Sequence, residues 1–246
     1  MEKLFHIMDP VWEILFRVHD ILSDILIRFG REIKWILLII AHASLIVGVL
    51  HPELRRNFGE MAGTLLIMLL FLSPLSKIFR MKFLLLLMGF RREVGILMGY
   101  FACIHGISYM LRGYDIQDIL SFTRWDFVTL APFFGFVALL LFLPPLLTSN
   151  RISTRVFGIW WKRIHILVYP AFLLVVLHRL FITSGRQDDP LLLRGLEAVL
   201  LLGSYGILKL LAWKDCSPLL RQVSQSVALS YRSYQEHMRS HEIKNI

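Results

Sequence analysis

The chain has 246 residues, of which 56% are hydrophobic and only 18% charged, and its mean hydropathy is +0.62. Charge that sparse cannot cover the surface of a soluble domain of this length, so a single water-soluble core is excluded. The net charge of +9 would suggest nucleic acid in a soluble chain. Here Lys and Arg fall in short stretches between apolar runs, which is the pattern of membrane topology and not of a nucleic-acid surface.

The first 33 residues are not a signal peptide, because Glu13, Arg17, Asp20, Asp24 and Arg28 interrupt any apolar core. These charges, spaced three or four residues apart, line one helix face. Apolar residues such as Trp12, Leu15, Leu22 and Phe29 fill the others. Asp9 is a good N-cap, Pro10 suits the first helical position and Gly30 suits the end, so the pattern predicts a helix over 10–29. Such a helix either lies in the membrane interface, the reading adopted here, or docks on a partner subunit.

Apolar runs near 20 residues then predict spans at about 34–50, 59–76, 93–111, 126–147, 164–183 and 195–213. The expected fold class is all-α: a bundle of six transmembrane helices (34–213) behind an N-terminal interfacial amphipathic helix (1–33), with a polar tail over 214–246. Pro52, Pro74, Pro144, Pro145 and Pro190 fall near the ends of these spans. Segments 1–34, 77–92, 149–163 and the tail hold nineteen Lys and Arg. The alternate segments 51–60, 112–125 and 179–194 hold seven. The positive-inside rule then places both termini of a multi-pass membrane protein in the cytoplasm.

Cys103 and Cys216 form no disulfide framework, and the chain has no C-x-x-C-H, so covalent c-type haem is not expected. Of nine histidines, those inside spans suggest function by default. His105 lies thirteen residues beyond Arg92, and His178 fifteen beyond Arg163. At 1.5 Å per residue both rise ~20 Å from the inner side, so their imidazoles share one level. Two histidines from parallel helices at one level make a slot for a planar macrocycle whose iron takes axial ligands from opposite faces. The competing reading for each is a histidine bonded to a neighbouring helix.

His165 stands thirteen residues below His178, at the cytoplasmic edge. It reads either as one ligand of an inner haem or as an interfacial residue beside a propionate or a donor protein. Pro170 between the two is placed to bend the span. Arg91 and Arg163 are candidates to pair with propionates, and equally ordinary positive-inside anchors. Gly95, Gly99 and Gly106 free space along the third span for a ring or for a neighbouring helix. His42 and His51 read as packing or interface residues, and His237 with His241 as a solvated face. No G-x-G-x-x-G after a strand and no P-loop is present, so the chain is not expected to carry a dehydrogenase domain of its own.

With these residues the chain resembles the ferric-reductase-like transmembrane domain family, and within it the haem-binding membrane subunits of bacterial periplasmic methionine sulfoxide reductase systems. The likeness runs from about Arg91 to His178, through Arg92, Gly95, His105, Tyr109, Thr148, Ser149, Gly158, Trp161, His165 and Tyr169. The resemblance implies b-type haem held by His105 and His178, with His165 as a further ligand candidate. It implies outward electron transfer from a cytosolic flavin reductase or a membrane quinol. For the close relatives it implies a periplasmic molybdopterin enzyme as acceptor, and it admits bound FMN. Arg91 stands where two-haem oxidases of the wider family carry a histidine, so one tightly held haem is expected and a second is incompletely specified. The alternative role is a structural or assembly subunit docked into a larger membrane complex.

Overall fold

The computed structural model describes residues 2–111, 127–183 and 191–213. Every described element is helical. The expected tail over 214–246, with Cys216, His237 and His241, lies outside the described residues, as do 112–126 and 184–190. The chain divides into two compact units.

The first unit comprises Met1–Ile33, Leu72–Phe90 and Ile207–Ile246. Its opening element is the start of α1 (Glu2–Leu50), a helix that does not stop at Gly30 as its sequence suggests. Only Phe29 leaves helical geometry, at φ −113° and ψ 15°, so the expected end is a kink inside one continuous helix. Gly30 stays helical because Phe90 fills the space beside it, 3.5 Å from where a Cβ would stand. The stretch expected as a plain inner loop contains a short apolar helix, α3 (Lys82–Met88). The N-cap of α3 gives no side-chain bond. Instead the Phe83 amide, one of the first-turn donors that a helix leaves unpaired, bonds Nε2 of buried His19 at 3.3 Å. The His19 Nδ1–H then faces the Asp20 carboxylate at 3.2 Å. Lys82 approaches Asp24 at 3.9 Å.

The second unit comprises Lys34–Phe71 and Arg91–Gly206. Within it lie parts of α1, of α2 (Arg55–Phe79) and of α9 (Leu191–Trp213). It also contains α4 (Arg91–Met110), α5 (Phe127–Leu147), α6 (Arg151–Phe157), α7 (Ile159–Ile166) and α8 (Val168–Thr183). α5 packs on α8, α4 and α7. The core is a cluster of Ala41, Phe58, Leu66, Phe101, Phe142, Ala171 and Phe172, with others around them. Ala41 and Ala171 are fully buried, as expected where membrane helices approach closely through small residues.

α2 runs on to Phe79 past Pro74, and α5 contains Pro132, Pro144 and Pro145. Thr148 and Ser149 bond the carbonyls of Pro144 and Pro145 at the end of α5. The fifth predicted span is two helices. Pro170 cannot donate to the carbonyl of Ile166, and the helix breaks at Leu167 between α7 and α8. Gly158, at φ +49°, makes the turn that separates α6 from α7; a side chain there would be strained.

Among the described residues five helices are long and apolar enough to cross a membrane: Ile14–Leu50, Pro52–Phe79, Leu130–Leu147, Ile159–Ile182 and Gly195–Trp213. The remaining predicted span, α4, is helical over 20 residues. Arg91, Arg92, Glu93, His105 and three glycines dilute its apolar content. Beyond Glu93, which is buried at its start, its buried face of Val94, Leu97, Met98, Phe101 and Ile104 is nonetheless apolar.

Candidate haem site

The site lies in the second unit, between two pairs of helices. His105 projects from α4 and His178 from α8. Their ring centroids are 6.1 Å apart, with the planes 79° from one another. Each ring is tethered to a backbone carbonyl of a third or fourth helix. His105 Nδ1 lies 2.8 Å from the carbonyl oxygen of Arg55 on α2, and His178 Nδ1 lies 2.6 Å from that of Ala131 on α5. A carbonyl only accepts, so each Nδ1 carries the proton. In the neutral ring Nε2 then holds a lone pair, the form in which imidazole binds a metal. Neither Nε2 has a hydrogen-bond partner among the described residues.

The spacing fits an iron between the rings. With metal–imidazole bonds of about 2 Å, two rings bound through Nε2 would have centroids roughly 6 Å apart. Arg55 supplies a second mark of fit. Its guanidinium lies 4.9 Å from the centre of the Tyr109 ring, which in turn packs 5.0 Å from the His105 ring. Arg55 Nε is buried and has no hydrogen-bond partner among the described residues. A haem propionate is the kind of anion that would satisfy it. In the sequence Arg55 counted only toward membrane topology, and nothing in its neighbourhood separated it from Arg56.

The other candidates are placed differently. His165, on α7, sits beside Trp161, with rings 4.0 Å apart and its Nδ1 3.0 Å from the Trp161 carbonyl oxygen. Trp161 is itself fixed by its indole N–H, which donates to the Thr148 carbonyl at 2.9 Å. That bond ties α7 to the end of α5 and so seats His165. Arg91 lies within electrostatic range of His165 and of Tyr205. The Arg163 guanidinium lies 4.5 Å from the centre of the Trp160 ring, not against either histidine of the pair. His42 is engaged at both nitrogens, by Leu38 O at 2.7 Å and by the Tyr100 hydroxyl at 3.3 Å. Gly99 and Gly106 make room for Leu146 and Leu139, so they serve helix packing rather than a ring.

Residues 58–176 match the family described as ferric reductase like transmembrane component. Among curated proteins the chain is 32% identical over 151 residues to the protein-methionine-sulfoxide reductase heme-binding subunit MsrQ of Brucella anthropi, covering 60% of this chain and 65% of that protein. It is 31% identical over 152 residues to the protein of the same name from Xanthomonas campestris pv. campestris, covering 61% and 66%. The chain thus spans just under two thirds of the length of these relatives. No solved structure matches it. Several helices of spanning length and this match make it a multi-pass membrane protein. Over residues 58–176, just under half of its length, the chain is thus similar to the ferric-reductase-like transmembrane family.

Proposed function

We propose that this chain is the haem-binding membrane subunit of a methionine sulfoxide reductase system. In this reading it holds one b-type haem tightly between His105 and His178. It relays electrons from a cytoplasmic flavoprotein or a membrane quinol to a redox partner on the outer side of the bacterial inner membrane. The observation that carries the proposal is the pair of neighbouring imidazoles, each tethered through Nδ1, which leaves Nε2 as the nitrogen for coordination. The printed name of the relatives supports the choice of system.

Bound haem supplies reversible one-electron chemistry. The chain's own residues hold and tune it. His105 and His178 would hold the haem through Nε2, and the carbonyls of Arg55 and Ala131 fix their tautomer and raise their basicity. Arg55 would pair with a propionate, and the apolar core would keep water from the site. Arg91 beside His165 marks the inner, donor side. A guanidinium has no lone pair to give a metal, so an inner haem on His165 would lack a second ligand from Arg91 and bind loosely. Bound FMN at the inner side belongs to the same reading.

Protein purified after haem-supplemented expression is expected to show the sharp Soret shift and resolved α-band of a low-spin bis-histidine haem on reduction. The haem-to-protein ratio should be near one. A colourless preparation would sink the redox reading and favour the structural role in a larger complex. The nineteen-to-seven division of Lys and Arg leads to a second expected result. Cysteine-reactive tags at either terminus should stay unlabelled by an impermeant reagent applied to intact spheroplasts. Labelling of either from outside would overturn the cytoplasmic placement.

A further inference from the structure

Two histidines, on different helices, reach their tethers by one solution. His105 of α4 bonds the carbonyl of Arg55 and lies against Gly59; His178 of α8 bonds the carbonyl of Ala131 and lies against Gly135. In each case the acceptor is four residues before the glycine, which is one helical turn. The carbonyl of residue i in a helix bonds the amide of i+4 and keeps a second lone pair. The side chain at i+4 stands beside that lone pair. With glycine there, an imidazole from the neighbouring helix can lie against the backbone.

The space is specific to the rings. A Cβ at Gly59 would stand 2.5 Å from His105 Nδ1 and 2.6 Å from its Cε1, and one at Gly135 would stand 2.7 and 2.9 Å from the same atoms of His178. These are atoms of rings held at Nδ1, not free ends of aliphatic chains. Gly63, one turn beyond Gly59 on the same helix, has nothing within 4 Å of its Cβ position. Each helix pair is pinned at the same height by aromatic contact. Phe58, next to Gly59, meets Phe101 of α4 at 5.4 Å. Phe134, next to Gly135, stacks on Phe181 of α8 at 5.5 Å. Parting the helices to admit a methyl group would loosen these contacts as well.

We propose that Gly59 and Gly135 are positioning residues for the axial ligands. The missing Cβ lets each imidazole reach the carbonyl one turn before it, and this contact decides that Nε2 is the nitrogen left to coordinate. The proposal rests on the haem reading above. To reach the ordinary 3.4 Å contact, the His105 ring must move by about 0.9 Å from a methyl at residue 59 (3.4 less 2.5 Å). A shift of that size breaks the Nδ1–H bond and leaves its donor buried and unpaired. Losing an outer-shell partner of this kind typically weakens a metal site by about 10–100-fold. The ligand also becomes less basic, so the ferric state is less stabilised and the midpoint potential rises.

The experiment compares Gly59→Ala, Gly135→Ala and Gly63→Ala in the full chain. It reads the haem-to-protein ratio of the monodisperse fraction, the low-spin electron paramagnetic resonance signal and the midpoint potential. Gly63→Ala should match wild type. Gly59→Ala and Gly135→Ala should retain haem about 10–100-fold more weakly, with altered g-values and a raised potential in what remains. Wild-type spectra and potential in either variant would overturn the proposal.

A thermal-stability cycle serves if those variants accumulate poorly. Gly59→Ala should add no loss to His105→Ala, because the methyl then has room. Purely additive losses, with haem-loaded wild type, defeat the proposal alone. A wild type that never takes up haem defeats the reading beneath it.

Discussion

Replacing His105 or His178 by alanine is expected to abolish the low-spin spectrum and to cut the haem-to-protein ratio by more than about tenfold. Outer-shell losses alone reach that size, and these two changes remove an axial bond itself. Each also leaves a backbone carbonyl, that of Arg55 or Ala131, without its imidazole donor. His165→Ala should leave the spectrum of the His105–His178 pair intact, because His165 bonds Trp161 and stacks on it instead. Haem quantified by pyridine haemochrome beside protein mass checks both results. A His165→Ala protein emptied of haem, next to a haem-replete His105→Ala, would show that the ligand pair is wrongly chosen.

The second large effect is expected at a residue that touches no cofactor. Ala171 of α8 is fully buried in the core. It lies seven residues before His178, two turns below it on the same helix face. Ala171→Leu puts three extra carbons where α8 packs closest, and overpacking of this kind costs about 1–3 kcal/mol. The strain lifts α8 from its neighbours and carries His178 away from its carbonyl. Thermal release of haem, followed by Soret absorbance in detergent, should begin several degrees lower. A volume-conserving control at Leu173, a half-exposed position on α8, made as Leu173→Met, should leave the profile unmoved. Equal profiles for Ala171→Leu and wild type would show that this face of α8 does not govern the site.

Residue counting was enough to bring His105 and His178 together. Both helices rise from a basic row on one side, and a helix advances by a fixed step, so the sequence encodes depth directly. The membrane class was equally legible, since apolar run length maps onto span length. The acceptors were not legible. The carbonyls of Arg55 and Ala131 carry no side-chain signature, and Gly59 and Gly135 look like any small residue in an apolar run. The kink at Phe29 escaped because a plausible N-cap, a plausible stop at Gly30 and an amphipathic face all favoured a separate helix. Local signals of that size yield to the packing of Phe90 against Gly30. The short helix α3 escaped for a related reason. One of its first-turn amides, that of Phe83, is satisfied by His19, 64 residues away in sequence, rather than by a local cap. The break at Leu167 was half visible in Pro170, whose effect falls one turn earlier than the proline itself.

The tethering of both imidazoles by main-chain oxygen has an evolutionary consequence. A carboxylate or amide tether disappears with one codon change at the residue that bears it. The oxygen of residue 55 or 131 is supplied by whatever amino acid stands there, so the tether itself does not depend on the identity of either side chain. The constraint shifts one turn along, to two positions where every change away from glycine introduces a side chain. A site built this way fixes its ligand orientation through two inconspicuous glycines rather than through a polar outer-shell side chain. Resurrected ancestral chains in which residue 131 is another small amino acid should keep the same haem spectrum so long as residues 59 and 135 remain glycine.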